Sequence, residues 1–429
     1  MPLLEEETLD RSALTTLQET RLSELLTTIL PRNRFYADKF DHAGINAANI
    51  RTLDDWQRVP FTTKTELLQD QADHPRFGRI LTYPLDNYCR YHQTSGTTGQ
   101  PLRWPDTWDS WQWVLSCWKK IYTRIGVTEE DRLFFPFSFG PFLGFWSAFE
   151  AAAQIGCLCM PGGGLSSAAR LRFLKENEAT VILCTPTYAL HLAEIAGQQG
   201  MDLTGCPVRA LIVAGEPGGS IPATRQRMEE AWGARVIDHS GLTEVGPVSV
   251  ECEQSPGGLH ILEGDYFAEV IDPETGQRVE PGNTGEMVIT NLGRAACPLL
   301  RYRTGDLVRV APDGCTCGSG FMRLEGGILG RSDDLIHLRG NNVYPGALEQ
   351  IIRGFPGVAE FQIEVDMTEA MASLCIRIEP SPDTEGTQLA AQIRETIRDR
   401  LFFRAEVVAV SSGSLPRYEL KAKRLIKKT

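Results

Sequence analysis

Between Arg132 and Asp238 the chain alternates short apolar runs with stretches of helical length, and no other feature narrows its fold so far. The apolar runs cover 133–137, 157–160, 181–184, 209–214 and 235–238, with helical stretches after Gly144, Ser167, Pro186 and Ser220. Near-continuous apolar strands separated by helices call for a largely parallel sheet covered on both faces. Ligands of such sheets sit beyond the carboxyl ends of the strands. Three of those ends carry distinctive sequences: Thr185-Pro186-Thr187, Gly215-Glu216-Pro217 and His239-Ser240-Gly241-Leu242-Thr243-Glu244.

The flanking regions differ in texture. Leu14, Leu17, Leu22, Leu25, Leu26 and Ile29 recur at helical spacing and stop at Pro31, which predicts a core-facing helix over 12–30. Thr63, with Glu66 three residues on, predicts a helix start closed by a capping box. After Val245 short strands alternate with turns such as Pro256-Gly257-Gly258 and Pro281-Gly282-Asn283-Thr284-Gly285, which predicts a separate antiparallel subdomain over about 246–330. From Asp333 the pattern resets to strands near 335–338, 358–365 and 372–379 and helices after Pro345 and over 387–402. The expected fold is therefore α/β: a large N-terminal domain, 1–332, of mostly parallel sheet flanked by helices with a β-rich subdomain, and a small mobile α+β domain, 333–429.

Before this alternation lies Gln93-Thr94-Ser95-Gly96-Thr97-Thr98-Gly99-Gln100-Pro101. Two glycines and four hydroxyls expose several N–H and O–H donors to one anion, and successive amides in a turn form a concave nest. The run 108–122 has helical length, so the loop is expected to feed a helix whose N-terminal end also favours negative charge. A flexible surface loop has the same composition. It is not a Walker loop, which needs Lys after the second glycine; here Gln100 stands there.

At 429 residues the chain holds more than one core. A net charge of -12 argues against a general nucleic-acid surface. No apolar run reaches bilayer length, and the first ten residues lack a signal pattern. Eleven cysteines are an odd count over a long chain, which suits a reducing cytoplasm better than a disulfide scaffold.

Four stretches occur in one order: the 95–99 loop, Ser240-Gly241-Leu242-Thr243-Glu244, Tyr302-Arg303-Thr304-Gly305-Asp306, and Gly330-Arg331-Ser332-Asp333-Asp334. With them the chain resembles, over nearly its whole length, the adenylate-forming acyl ligases and within them the short phenylacetate–CoA ligase branch. The resemblance implies that a carboxylate attacks the α-phosphorus of ATP, pyrophosphate leaves, and the acyl group passes from acyl-AMP to CoA. Two anions must be brought together, so the site has to neutralise charge and hold atoms in line.

By that resemblance Ser95, Gly96, Thr97, Thr98 and Gly99 grip the outer phosphates, Glu244 holds Mg²⁺ as a hard ligand, and Thr243 lies near the α-phosphate. Gly215, Glu216 and Pro217 line the adenine site, and Asp238, His239 and Ser240 belong to the same nucleotide pocket. Asp306 accepts from the ribose hydroxyls, and Arg331 meets ribose or phosphate; a surface pair of Arg331 with Asp333 or Asp334 is the alternative. Lys421, with Lys423 as rival, matches the lysine that reaches the substrate carboxylate. Asp333 matches the hinge about which the C-terminal domain rotates, and Gly340 the glycine beside the pantetheine tunnel.

Two further groups stand out. Cys252, His260, Cys315 and Cys317 carry the soft donors of a closed tetrahedral zinc site, as in some members of the resembled branch, or are four unrelated buried residues. Phe137, Phe139 and Phe142, with Phe145 and Trp146 nearby, suit an aryl or arylacetic acid by stacking, with His239 and Gly241 beside them, or are ordinary core. Three departures from the family pattern concern Ser240, in place of an aromatic residue at the adenine, Gln100 in place of Lys, and Leu420 in place of Gly. The acceptor is CoA, or alternatively a carrier-protein phosphopantetheine thiol or an amine; a degenerate nucleotide-binding module is the remaining reading. Partners are a small carboxylic acid and no nucleic acid or membrane, with a homodimer as the assembly considered.

Overall fold

The computed structural model describes residues 3–94, 100–332, 336–338, 341–343, 345–366, 373–401, 403–418 and 422–428. β1 (Tyr88–Gln93) and β2 (Arg103–Thr107) form an antiparallel hairpin in which Gln93 faces Arg103. The Gly-rich stretch, residues 95–99, lies in the chain between these two strands and outside the described residues. β2 comes before the helix Trp108–Ile125 in the chain, so the predicted helix follows a strand and not the 95–99 stretch itself. That helix starts where Thr107 accepts from the Ser110 amide and ends at Gly126, φ 75°.

The alternating region folds as its periodicity requires. β3 (Arg132–Phe135), β4 (Leu158–Pro161), β5 (Val181–Cys184), β6 (Ala210–Val213) and the first half of β7 (Arg235–Leu242) are parallel, in the order β7-β6-β5-β3-β4. Successive side chains enter different cores: Leu133, Phe135, Val181, Leu183, Ala210 and Ile212 one, Phe134, Ile182, Leu211 and Val213 the other. A strand points alternate side chains to opposite faces, so burial on both faces demands an unbroken apolar run.

β7 changes partner midway. Through Asp238 it runs parallel to β6; from His239 it pairs antiparallel with β8 (Gly246–Cys252). The turn between β7 and β8 is tight: a Cβ on Gly241 would lie 2.8 Å from the Gly246 carbonyl oxygen. β9 (Ser255–Ile261) continues the large sheet. β10 (Tyr266–Ile271), β11 (Thr284–Asn291) and β12 (Tyr302–Arg309) form a second, antiparallel sheet. β13 (Arg323–Glu325) then pairs with β9, and β14 (Gly330–Arg331) closes the small sheet against β12. The antiparallel strands expected as one subdomain over 246–330 therefore divide between two sheets. The reason lies in β7, whose hairpin with β8 carries the large sheet onward.

The C-terminal part has its own core around Leu348, Phe361, Ile376 and Ile393. A hairpin, β15 (Ile336–Leu338) with β16 (Asn341–Val343), precedes the helix Pro345–Arg353. β17 (Val358–Asp366) and β18 (Ser373–Pro380) are antiparallel, followed by the helix Gly386–Leu401. β19 (Glu406–Ala409) and β20 (Leu425–Lys428) complete the order β19-β18-β17-β20. Asp333, the expected boundary and hinge, lies outside the described residues. No described helix is long and apolar enough to cross a membrane.

Candidate active site

The three strand-end sequences converge where the parallel sheet meets the antiparallel extension. Thr243 and Glu244 occupy the turn after β7, and Glu244 is only 3 % exposed. Two contacts fix it. The Tyr302 hydroxyl donates to one Glu244 carboxylate oxygen at 2.7 Å, and Arg294 donates to the backbone carbonyls of Thr243 and Glu244, both at 3.0 Å. Arg294 is in turn held by the Asp106 carboxylate at 2.7 and 2.6 Å, with both side chains fully buried. A bidentate pair of this kind fixes orientation as well as position. Sequence reasoning missed Arg294 and Asp106, which sit in unremarkable loop and strand contexts. Tyr302 lay inside a quoted motif and carried the only available signal.

β12 links this turn to a second acid. Tyr302 opens the strand and Asp306 follows four residues later, where it faces Arg331 of β14. Arg331 donates to Asp306 and to the Thr304 carbonyl, each at 3.0 Å. Gly305, φ 75°, makes room: a Cβ there would be 2.7 Å from an Arg331 nitrogen. The Arg331 side chain remains 37 % exposed, so this pair faces solvent on one side and can meet a polar ligand.

Beyond the end of β6, both carboxylate oxygens of Glu216 are hydrogen-bonded. One carboxylate oxygen accepts from the Thr187 amide at 2.8 Å and the other from the Ala422 amide at 2.7 Å. Gly215, φ 93°, and Pro217 flank it. Asp238 accepts from Ser220 Oγ at 2.5 Å, and its amide donates to Glu251 at 2.7 Å. Burial, with Glu251 adding to it against Ser220 and Arg225, pushes the Asp238 carboxyl up to about 7. His239 sets its ring against Trp118 edge-on, centroids 4.6 Å apart, and burial brings it down to about 4, hence neutral. Its Nδ1 is buried without a partner. Ser240 turns to Ser249, Oγ to Oγ 2.7 Å, and Gly241 is required by the hairpin's close approach.

The aromatic run packs largely on itself. Phe137 stacks on Phe145 at 4.0 Å, Phe139 lies 5.4 Å from Phe137, and Phe142 meets Phe145 edge-on at 5.9 Å. Trp118, against His239, donates to Ser147 on the helix Leu143–Ile155 that carries Phe145. This ties the His239 side of the site to the aromatic cluster. Ser95, Gly96, Thr97, Thr98, Gly99, Asp333, Gly340 and Lys421 lie outside the described residues, as does Leu420.

Cys252, His260, Cys315 and Cys317 come together, their donor atoms all within 4.8 Å of one another. Cys252 and Cys315 sulfurs are 3.6 Å apart, and Cys317 Sγ is 3.5 Å from His260 Nε2. Tetrahedral ligands about 2.0–2.3 Å from zinc stand roughly 3.5–3.8 Å apart. His260 directs Nδ1 to the Phe321 carbonyl at 3.3 Å, which assigns that nitrogen the proton and leaves Nε2 a lone pair for a metal.

Residues 57–295 match the AMP-binding enzyme family, and residues 340–429 match the AMP-binding enzyme C-terminal domain. The chain belongs to the AMP-binding enzyme family. It is 32 % identical to a phenylacetate–coenzyme A ligase of Thermus thermophilus over 434 aligned residues, covering 96 % of each chain. A crystal structure of 2-hydroxyisobutyryl-CoA ligase in the postadenylation state with 2-HIB-AMP superposes with TM-score 0.93 at 28 % identity, covering 100 % of this chain and 94 % of that one. The same ligase with 2-HIB-AMP and CoA in its thioesterification state gives 0.75 at 29 % identity, with the same coverage. This AMP-binding enzyme is thus an AMP-forming acyl-CoA synthetase, an acid–thiol ligase that activates a carboxylic acid with ATP to acyl-AMP and then forms the CoA thioester. The chain thus superposes more closely on the postadenylation structure of that ligase than on its thioesterification structure.

Proposed function

We propose that this enzyme activates an aryl or arylacetic acid, and that the site assembled around β7 and β12 performs the first half-reaction. The observation that carries the reading is that β12 joins two acids: Tyr302 holds Glu244, and Asp306 is paired with Arg331. One strand thereby sets the spacing between a phosphate-side carboxylate and a ribose-side carboxylate, as in-line attack at the α-phosphorus requires. Glu244 is a hard, buried carboxylate suited to Mg²⁺, which when bound would neutralise phosphate charge. Thr243 lies beside it near the α-phosphate, Asp306 takes the ribose hydroxyls, and Arg331 supplies a fixed positive charge. Asp238, His239 and Ser240 form the nucleotide wall, and the 95–99 loop holds the leaving pyrophosphate. Lys421 reaches the reacting carboxylate, Asp333 serves as hinge, and Gly340 lines the pantetheine tunnel.

The acid class rests on the relative named above and on the half-buried Phe139 and Phe142 at the edge of the aromatic cluster that includes Phe137. A flat apolar acid gains from burial and stacking there. The four-residue Cys/His cluster fits structural zinc, tying β8 and β9 to the 315–317 turn. None of the eleven cysteines is in a disulfide, which supports work in a reducing cytoplasm. The test is product analysis with a panel of acids, ATP and CoA. Aryl or arylacetic acids should give acyl-CoA faster than short aliphatic ones; equal or better turnover of aliphatic acids would sink the proposed acid class. Acyl-AMP that builds up without acyl-CoA, and that is discharged by a carrier-protein thiol, would move the acceptor away from CoA.

A further inference from the structure

Glu216 reaches across the domain boundary. Both its carboxylate oxygens are occupied, one by the Thr187 amide of its own domain and one by the Ala422 amide of the C-terminal segment. Two residues on, Arg424 repeats the crossing. Its Nη1 donates to Thr187 Oγ1 at 3.1 Å and stands 4.0 Å from the Glu216 carboxylate. Its Nε and Nη2 are held by Glu360 of β17 at 2.6 and 2.9 Å, and its guanidinium lies over Phe361. The side chains of Glu216 and Arg424 are 6 % and 9 % exposed, so this clasp is shielded from water, where a charged hydrogen bond counts for most. An adenine-lining role does not account for this geometry, in which each Glu216 oxygen accepts from a backbone amide, one on either side of the boundary.

We propose that Glu216 is a positioning residue that clasps the 422–424 segment onto the N-terminal domain only in the arrangement used for acyl-AMP formation. This rests on the functional reading above. The clasp joins residues of both domains, so rotation of the C-terminal domain for thioester formation must break the Glu216–Ala422 and Arg424–Thr187 contacts. Glu216 therefore favours the first half-reaction and is dispensable in the second. A residue lining the adenine would differ, because acyl-AMP is bound in both steps.

The experiment uses the full chain with Glu216→Ala and Glu216→Gln, checked for an unchanged thermal transition. Acid-dependent pyrophosphate exchange reads the first half-reaction, and thioester formation from pre-made acyl-AMP and CoA reads the second. Loss of one buried charged hydrogen bond should slow exchange in Glu216→Ala roughly tenfold to a hundredfold, with Glu216→Gln intermediate because it keeps one acceptor oxygen. Thioester formation should stay within about twofold, and amide hydrogen exchange over 422–428 should quicken. Equal losses in both half-reactions, or no loss in either with unchanged amide protection, would overturn the clasp. Absence of exchange by the unmutated enzyme with every acid would refute the activity reading instead, and the amide protection of 422–428 would still decide the clasp.

Discussion

Replacing Arg294 separates what it does for the fold from what it does for the site. Arg294 and Asp106 are buried completely, so Arg294→Met leaves a carboxylate without its cation in a low-dielectric interior. Breaking such a pair from one side costs about 3–5 kcal/mol. It also removes the donor that the Thr243 and Glu244 carbonyls share, a contact to a charged group worth about 1.5–3 kcal/mol net. The expected result is a lower unfolding midpoint together with pyrophosphate exchange slowed about tenfold to a hundredfold. Adding Asp106→Leu removes the stranded charge, and apolar replacement of a whole buried pair is often neutral or better. The double variant should therefore regain most of the stability but not the exchange rate, because nothing yet anchors the 243–244 turn. Recovery of exchange in step with stability would refute the anchoring role.

Three other outcomes follow from the geometry. Cys315→Ser with Cys317→Ser should strip zinc from the purified protein by metal analysis; an unchanged zinc content would contradict the site. Asp238 titrates near 7, above its ordinary 3.8, so between those values the folded chain keeps a proton that the unfolded chain loses. Stability from this group is full below about pH 4 and is lost as pH rises through about 7. Asp238→Asn should flatten that fall in urea unfolding of the unliganded protein. His92 and His239, each held near 4, give the opposite slope below about 6.5 in both proteins and drop out of the difference curve; a flat difference would contradict the raised Asp238. Lys421→Ala should abolish adenylation and spare thioester formation from pre-made acyl-AMP, and loss of both would contradict its assignment.

Much of the frame is legible in the sequence because it obeys one-dimensional rules. Val181–Cys184 reads as a strand buried on both faces from its apolar run alone, and the Thr63–Glu66 capping box forms as spaced. The motif acids Glu244 and Asp306 are linked through β12, Glu244 by the Tyr302 hydroxyl and Asp306 as part of the strand, which their order anticipates but does not position. What escapes the sequence is pairing across long separations. Nothing local marks Asp106 as the partner of Arg294, 188 residues away, or Glu216 as the acceptor for Ala422, 206 residues on. The helix predicted over 108–122 forms as Trp108–Ile125, but β2 stands between it and the 95–99 stretch, because residues 103–107 pair with 88–93.

The central claim is that this chain makes acyl-AMP from a free acid at the site holding Glu244 and Asp306. Acid-dependent exchange of labelled pyrophosphate into ATP measures that step directly. The account predicts exchange with aryl or arylacetic acids and its loss by about a hundredfold or more in Glu244→Gln. Exchange that is absent with every acid, or that survives Glu244→Gln unchanged, would contradict it.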